Sequence, residues 1–249
     1  MSEGKDMTED QKTKLRQKWG EWLEIIGNEL GWLLTGRDFF WGIRKIVESN
    51  KKIQSPSALH NWIGDNYVAK VTTGIIRLTD HHRGTISLYW LIKGISKNRE
   101  VITRDYYVSG YGDKRLVKIG VADRDFDKFD NDIKLLDEKT RLIKDFRDQW
   151  IAHFDEKREI EQMPTFGDMD KALDTIDSIF CDYTLLLKRS APPTRKPVLQ
   201  YDWEEPLRYP WNEIKEKETN TIHKDLWRFM VIVDNCHGNF QEPMTRRLL

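Results

Sequence analysis

Apolar residues recur at intervals of three and four through most of this 249-residue chain, a period that fits amphipathic helices and not strands. From Glu9 onward, Leu15, Trp19, Trp22, Leu23, Ile26, Leu30, Leu33 and Leu34 carry it. Gly36 and Asp38 predict a break and a new cap, after which Phe39, Phe40, Ile43, Ile46 and Val47 resume the pattern. Ser55-Pro56-Ser57 is a helix-start signal for a segment bearing Leu59, Trp62, Ile63, Tyr67, Val71, Ile75 and Leu78 and running to Asp80. His81-His82-Arg83-Gly84 punctuates the chain, and Thr85 is placed to cap a helix through Ile86, Leu88, Tyr89, Leu91 and Ile92 to about Ser96. A long helix is expected over residues 127–161, with Phe129, Ile133, Leu136, Ile143, Phe146, Trp150 and Phe154 as its apolar stripe. Pro164 to Gly167 break it, and Asp168 starts a further helix reaching Leu187.

Two segments interrupt the period. Residues 101–122 mix β-branched and aromatic residues with Ser109-Gly110-Tyr111-Gly112-Asp113, which reads as a short hairpin or a long ordered loop. Its place between core helices suits a flap over a site. Residues 191–211 are too rich in proline for regular helix, and Trp203, Tyr209 and Trp211 there either stack on bases or pin the connector to the bundle. A last helix is expected from Asn212 to Asn235. The organisation is therefore a tail (1–8), an all-α bundle (9–190), a connector (191–211) and a C-terminal helix with its own tail (212–249).

Composition narrows the function. No apolar run approaches the roughly 20 residues of a membrane span, and the polar, acidic start lacks the apolar core of a signal peptide. Two cysteines, Cys181 and Cys236, make no disulfide framework, so the cytoplasm is the default compartment. Lys plus Arg equals Asp plus Glu at 41 each; a protein that coats nucleic acid is usually basic, so any phosphate site here is local. There is no phosphate loop, no dinucleotide turn, no His-Glu-x-x-His and no Cys-x-x-Cys, and Cys236-His237 is an adjacent pair without partners. Neither metal nor cofactor is expected. If the chain is an enzyme, acid/base chemistry remains.

The best candidate for that chemistry is Arg147-Asp148-Gln149-Trp150-Ile151-Ala152-His153. At about 100° per residue from Ile143, Phe146, Trp150 and Phe154 fall within about 60° of the stripe's centre. Arg147 lands at about +40° and His153 at about −80°, on opposite shoulders of the buried stripe. Both tilt toward whatever the stripe packs against, where ionisable groups are unusual. A two-fold related helix packed there would put two guanidiniums and two imidazoles around one groove. Imidazole can take a 2′-hydroxyl proton and, protonated, return one to the departing oxygen. Guanidinium offers a planar donor fork to phosphate oxygens, and Asp148 could orient either. The bland alternative is an interface or core hydrogen-bond pair, and the same loose spacing occurs at Arg77-Leu78-Thr79-Asp80-His81-His82.

The segment Arg147-Asp148…Ile151-Ala152-His153 resembles the HEPN superfamily motif, in which Arg precedes a polar residue and Ala precedes His. The wider chain, over residues 10–190, looks like the AbiU-type abortive-infection branch. It shares the Trp-rich first helix, Arg77-Leu78-Thr79-Asp80 closing a helix, and the Ser87-Leu88 helix after it. The resemblance implies an antiparallel helical bundle that dimerises to form a metal-independent endoribonuclease acting in phage defence or as a toxin. It implies phosphate binding by Arg147, acid/base work by His153 and support from Asp148, with Arg77 and Asp80 as further supporting residues. RNA is the implied substrate, with an antitoxin or regulatory protein as a further partner. Where toxins of this kind often carry a modifiable Tyr two residues after the His, this chain has Asp155. Some HEPN domains are adaptors or nucleotide-binding regulatory modules instead of nucleases.

Overall fold

The structure, a computed structural model, describes residues 7–54, 57–103, 106, 127–152, 162–189 and 202–208. Among the described residues the chain is all-helical, with no strand. Helix α1 spans Glu9–Ser49, α2 Ala58–Leu78, α3 Leu88–Lys97, α4 Asp127–Phe146 and α5 Phe166–Lys188. A π-helical segment, Arg147–Ala152, follows α4, and short 3-10 turns occupy Arg99–Val101 and Glu205–Arg208. No described helix is long and apolar enough to cross a membrane. The hairpin or loop expected over 101–122, the helix expected from Asn212, and Tyr209 and Trp211 lie outside the described residues, except for the first residues of that loop and Tyr106.

The chain divides into two compact units, Met1–Phe39 with Tyr67–Lys196 and Phe40–Asn66 with Pro197–Leu249. The core of the first unit is built from the stripes read in the sequence. Trp19, Leu23, Ile26, Leu30 and Leu33 of α1 are buried, as are Val71, Ile75 and Leu78 of α2 and Leu88, Leu91, Ile92 and Ile95 of α3. Leu136, Ile143 and Phe146 of α4 and Met169, Leu173, Ile176 and Tyr183 of α5 complete it. Each such side chain contributes roughly 1.5–3 kcal/mol by leaving water. Close helix approach needs small residues at the crossings. The face of α1 at Gly27 meets the ring of Phe180, and α3 meets the Trp19 indole at Gly94.

Polar side chains lock the helices in register. Tyr183 on α5 donates to Asp132 on α4 at 2.9 Å, Arg37 on α1 meets Asp174 on α5 at 2.7 Å, and Arg16 donates to the Val101 carbonyl at 3.1 Å. Tyr67 is buried; desolvation first, and the charge of Asp170 second, push its phenol well above the ordinary tyrosine range.

Helix ends follow local chemistry. Thr8 and Gln11 form a reciprocal box: the Thr8 N–H donates to the Gln11 side chain at 2.9 Å, and the Gln11 N–H donates to the Thr8 hydroxyl at 3.3 Å. Acidic Glu9 and Asp10 then complement the positive end of the α1 dipole. Helix α5 starts at Phe166 and not at Asp168; Thr165 is its cap, and Asp168 closes the box from the third position. Those bonds from the Thr165 side chain and backbone hold the Asp168 carboxyl below its ordinary range.

Other boundaries also differ from expectation, three of them instructively. Gly36 and Asp38 do not break α1, which runs unbroken to Ser49. A glycine inside a helix costs about 1 kcal/mol, less than the burial of Leu33, Leu34 and Phe40 around it contributes. The α3 cap is Ser87 and not Thr85. Buried Ser87 accepts from the Trp90 N–H at 3.3 Å and donates to the Asp80 carbonyl at 2.6 Å, whereas the Thr85 hydroxyl is spent on the His82 carbonyl. Gly84, at φ +92°, makes the turn between them. The third concerns α4, which ends at Phe146 where the winding widens.

In the second unit, Trp203 lies across Gly42 so closely that a Cβ there would come within 2.6 Å of its ring, so the indole pins this part of the connector. Arg44, part of the basic cluster with Lys45, Lys51 and Lys52, is held by Glu48 at 2.7 Å and stacks over Trp41. A small cavity beside Phe40, Val47 and Ile63 is bordered by His60, whose buried Nδ1 has no hydrogen-bond partner.

Candidate active site

Arg147, Asp148 and Gln149 open the π-helical segment, directly after the buried Phe146. An i→i+5 ladder turns less per residue than an α-helix, so the 100° wheel drawn through this segment does not hold. Trp150, which the wheel put on the buried stripe, is only partly buried, and Arg147, Asp148, Gln149 and Ile151 are partly exposed as well. Arg147 to Ile151 are therefore half-buried, and Ala152 is exposed. Isolated π turns of this kind concentrate at functional sites.

Arg147 Nε stands 2.6 Å from Asp148 Oδ1, close enough for an ion pair. The same Nε is buried and makes no hydrogen bond, because neighbouring residues on a helix cannot align the N–H with the carboxylate. Proximity holds this pair, not a formed hydrogen bond. Gln149 Oε1 is likewise buried without a partner. Two polar atoms of motif residues two positions apart thus carry unmet hydrogen-bonding capacity, which costs about 1–3 kcal/mol per group until a partner arrives. His153, the expected acid/base residue, lies outside the described residues, as do Asp155, Phe154 and the Cys236-His237 pair.

Arg77 and Asp80, expected as supporting residues, have partners on α1 and in the turn after α2. Arg77, exposed at the end of α2, pairs with Glu29 of α1 at 3.2 Å. Asp80 accepts from the His82 N–H at 2.9 Å through its side chain and from Ser87 through its carbonyl. Its role is to shape the turn between α2 and α3. His81 and His82 are exposed turn residues, as their position implies. His81 stacks on Tyr89 with ring centres 3.8 Å apart and reaches Asp137 of α4 at 2.9 Å, while the His82 carbonyl accepts from the Trp90 indole. Among the described residues no three His, Cys, Asp or Glu side chains converge as a metal site would require.

One feature escaped the sequence reading. A groove of about 400 Å³ runs between α1 and α2, with Glu29 and Trp32 on one wall and Lys70, Thr73 and Arg77 on the other. Trp32 is 67% exposed. The signal was present: Trp32 stands about 100° away from Leu33, off the buried stripe of α1.

The family model described as AbiU2 (HEPN_AbiU2) matches residues 16–208, a span that holds Arg147, Asp148 and His153. No curated protein and no solved structure matches the chain.

Proposed function

The chain belongs to the HEPN AbiU2 family, and from that premise we propose that it is a homodimeric, metal-independent endoribonuclease acting in phage defence or as a toxin. The observation that carries this reading is the unmet hydrogen-bonding capacity of Arg147 and Gln149 on a π turn that leads to His153 in sequence. A phosphodiester supplies the acceptors that the guanidinium lacks.

In this reading one His153 accepts the 2′-hydroxyl proton as that oxygen attacks the neighbouring phosphorus. The partner's imidazolium donates to the departing 5′-oxygen, so the strand breaks into a 2′,3′-cyclic phosphate and a free hydroxyl. Arg147 stabilises the charge building on the non-bridging oxygens, where a planar fork is worth most. Asp148, at 2.6 Å, keeps the guanidinium from swinging away. DNA lacks the attacking hydroxyl and is not cut.

The test is incubation with RNA in EDTA, reading out cyclic-phosphate ends. His153→Ala must abolish cleavage while the dimer persists in light scattering. An equally active variant refutes the assignment to His153, and a wild-type chain that cleaves no RNA leaves the adaptor role known among HEPN domains.

A further inference from the structure

The groove between α1 and α2 has the chemistry of a nucleotide site. Tryptophan is among the residues most often buried at least in part, and Trp19, earlier on the same helix, is 2% exposed. Trp32 instead leaves two-thirds of its surface to water at the rim of a cavity, presenting an unused aromatic face. Opposite it, Lys70, Thr73 and Arg77 stand at intervals of three and four on α2, which aligns them along one helix face. The two cations are about 10 Å apart along the helix, with a hydroxyl between them.

The charges are arranged for an anion. Lys70 is exposed and has no ion-pair partner among the described residues. Glu29 is the one carboxylate lining the groove, and it is already committed to Arg77, meeting one terminal nitrogen at 3.2 Å. Arginine has five donors, so this contact fixes the guanidinium and leaves others for a phosphate. At the floor Leu33 packs into the space that Gly74 leaves, which lets the two helices approach closely. The volume falls within the roughly 300–1,000 Å³ of small-ligand sites.

We infer that this groove grips a nucleotide of single-stranded RNA, its base stacked on Trp32 and its phosphates on Lys70 and Arg77. The inference rests on the reading that the chain acts on RNA, and it adds a substrate-holding site on α1 and α2, apart in sequence from the Arg147 motif. Base–aromatic stacking combined with a positive wall is the usual means of holding unpaired strands without sequence preference. It also reconciles RNA binding with zero net charge, because two cations and one indole suffice locally.

The experiment uses the full chain and a fluorescent 2′-O-methyl RNA 12-mer, which cannot undergo 2′-hydroxyl attack, with binding read by anisotropy. Trp32→Ala should weaken binding roughly fivefold or more, and Trp32→Tyr should restore most of it. Lys70→Gln should flatten the salt dependence by about 0.7 in the log–log slope, the value of one phosphate contact on a single strand. Trp62→Ala, a similarly exposed indole at 62%, should change nothing. Titration with AMP and UMP separates the sources: binding lost in Trp32→Ala supports a groove that also takes free nucleotide. Unchanged RNA binding in Trp32→Ala overturns the inference, as does a wild-type chain that binds neither RNA nor nucleotide. A protein that holds RNA through Trp32 yet cleaves none in EDTA keeps the groove and loses the nuclease. One that cleaves, with Trp32→Ala binding as wild type, does the reverse.

Discussion

Leu33 of α1 lies over Gly74 of α2 so closely that a methyl group on Gly74 would come within 2.5 Å of one leucine terminus and 2.7 Å of the other. Leu33 is buried, so it has little room to retreat. Gly74→Ala should therefore destabilise the protein by about 1–3 kcal/mol, read from the urea midpoint. Leu33→Ala alone should cost about 2–5 kcal/mol, and the double variant less than the sum, because the new methyl enters the space the leucine vacates.

Gly36 behaves oppositely. It sits inside unbroken α1, and a Cβ there would meet nothing within 4 Å. Gly36→Ala should raise stability by about 0.5–1 kcal/mol, visible as a higher urea midpoint with an unchanged slope. A loss of stability would mean that the helix is interrupted there after all.

Ser87 serves two elements at once, capping α3 and tying the Asp80 carbonyl. Ser87→Ala leaves the half-buried Asp80 carbonyl and a helix N–H unsatisfied together, and should cost about 1–2 kcal/mol. Thr85→Ala, two residues earlier, should cost less than half of that in the same denaturation series.

Tyr67 sets an alkaline limit. Its folded pKa is raised above the unfolded value of about 10, by burial first and by Asp170 second. The stability this represents is fully present below about pH 10 and declines as pH rises beyond it, because the unfolded phenol ionises and the folded one resists. Denaturation midpoints of the wild type should fall between about pH 9 and pH 11, and by less in Tyr67→Phe. Equal falls would contradict the shift.

Arg147→Lys keeps the charge and loses the planar fork. On the proposed nuclease reading, RNA cleavage should drop at least about tenfold while circular dichroism stays unchanged. Full activity in the lysine variant would mean that a point charge suffices and that the fork makes no contribution.

Much of the fold was legible in residue spacing. The stripes through Trp19 to Leu34, Val71 to Leu78, Leu88 to Ile95 and Leu136 to Phe146 are the buried faces seen in the structure, since helix burial repeats every three to four residues. The misses were boundary effects. Gly36 reads as punctuation in a one-dimensional pattern, yet the apolar residues flanking it outweigh its cost. Thr85 and Ser87 are equivalent as cap residues on paper, and only the position of the Asp80 carbonyl separates them. At the site, the motif's residue types were readable but its winding was not, because nothing in Arg147-Asp148-Gln149-Trp150 announces an i→i+5 ladder. The Trp32 groove was missed for a different reason: it needs two helices, and a stripe analysis treats each alone.

The wide turn at Arg147–Ala152 bears on any attempt to move this chemistry to another scaffold. A recipient helix with uniform 3.6-residue winding would give the transplanted side chains a different angular phase, even with every letter preserved. A working graft must carry the looser ladder with it, or drop a residue to compensate. Sequence identity over six positions would conserve the alphabet and lose the bearing.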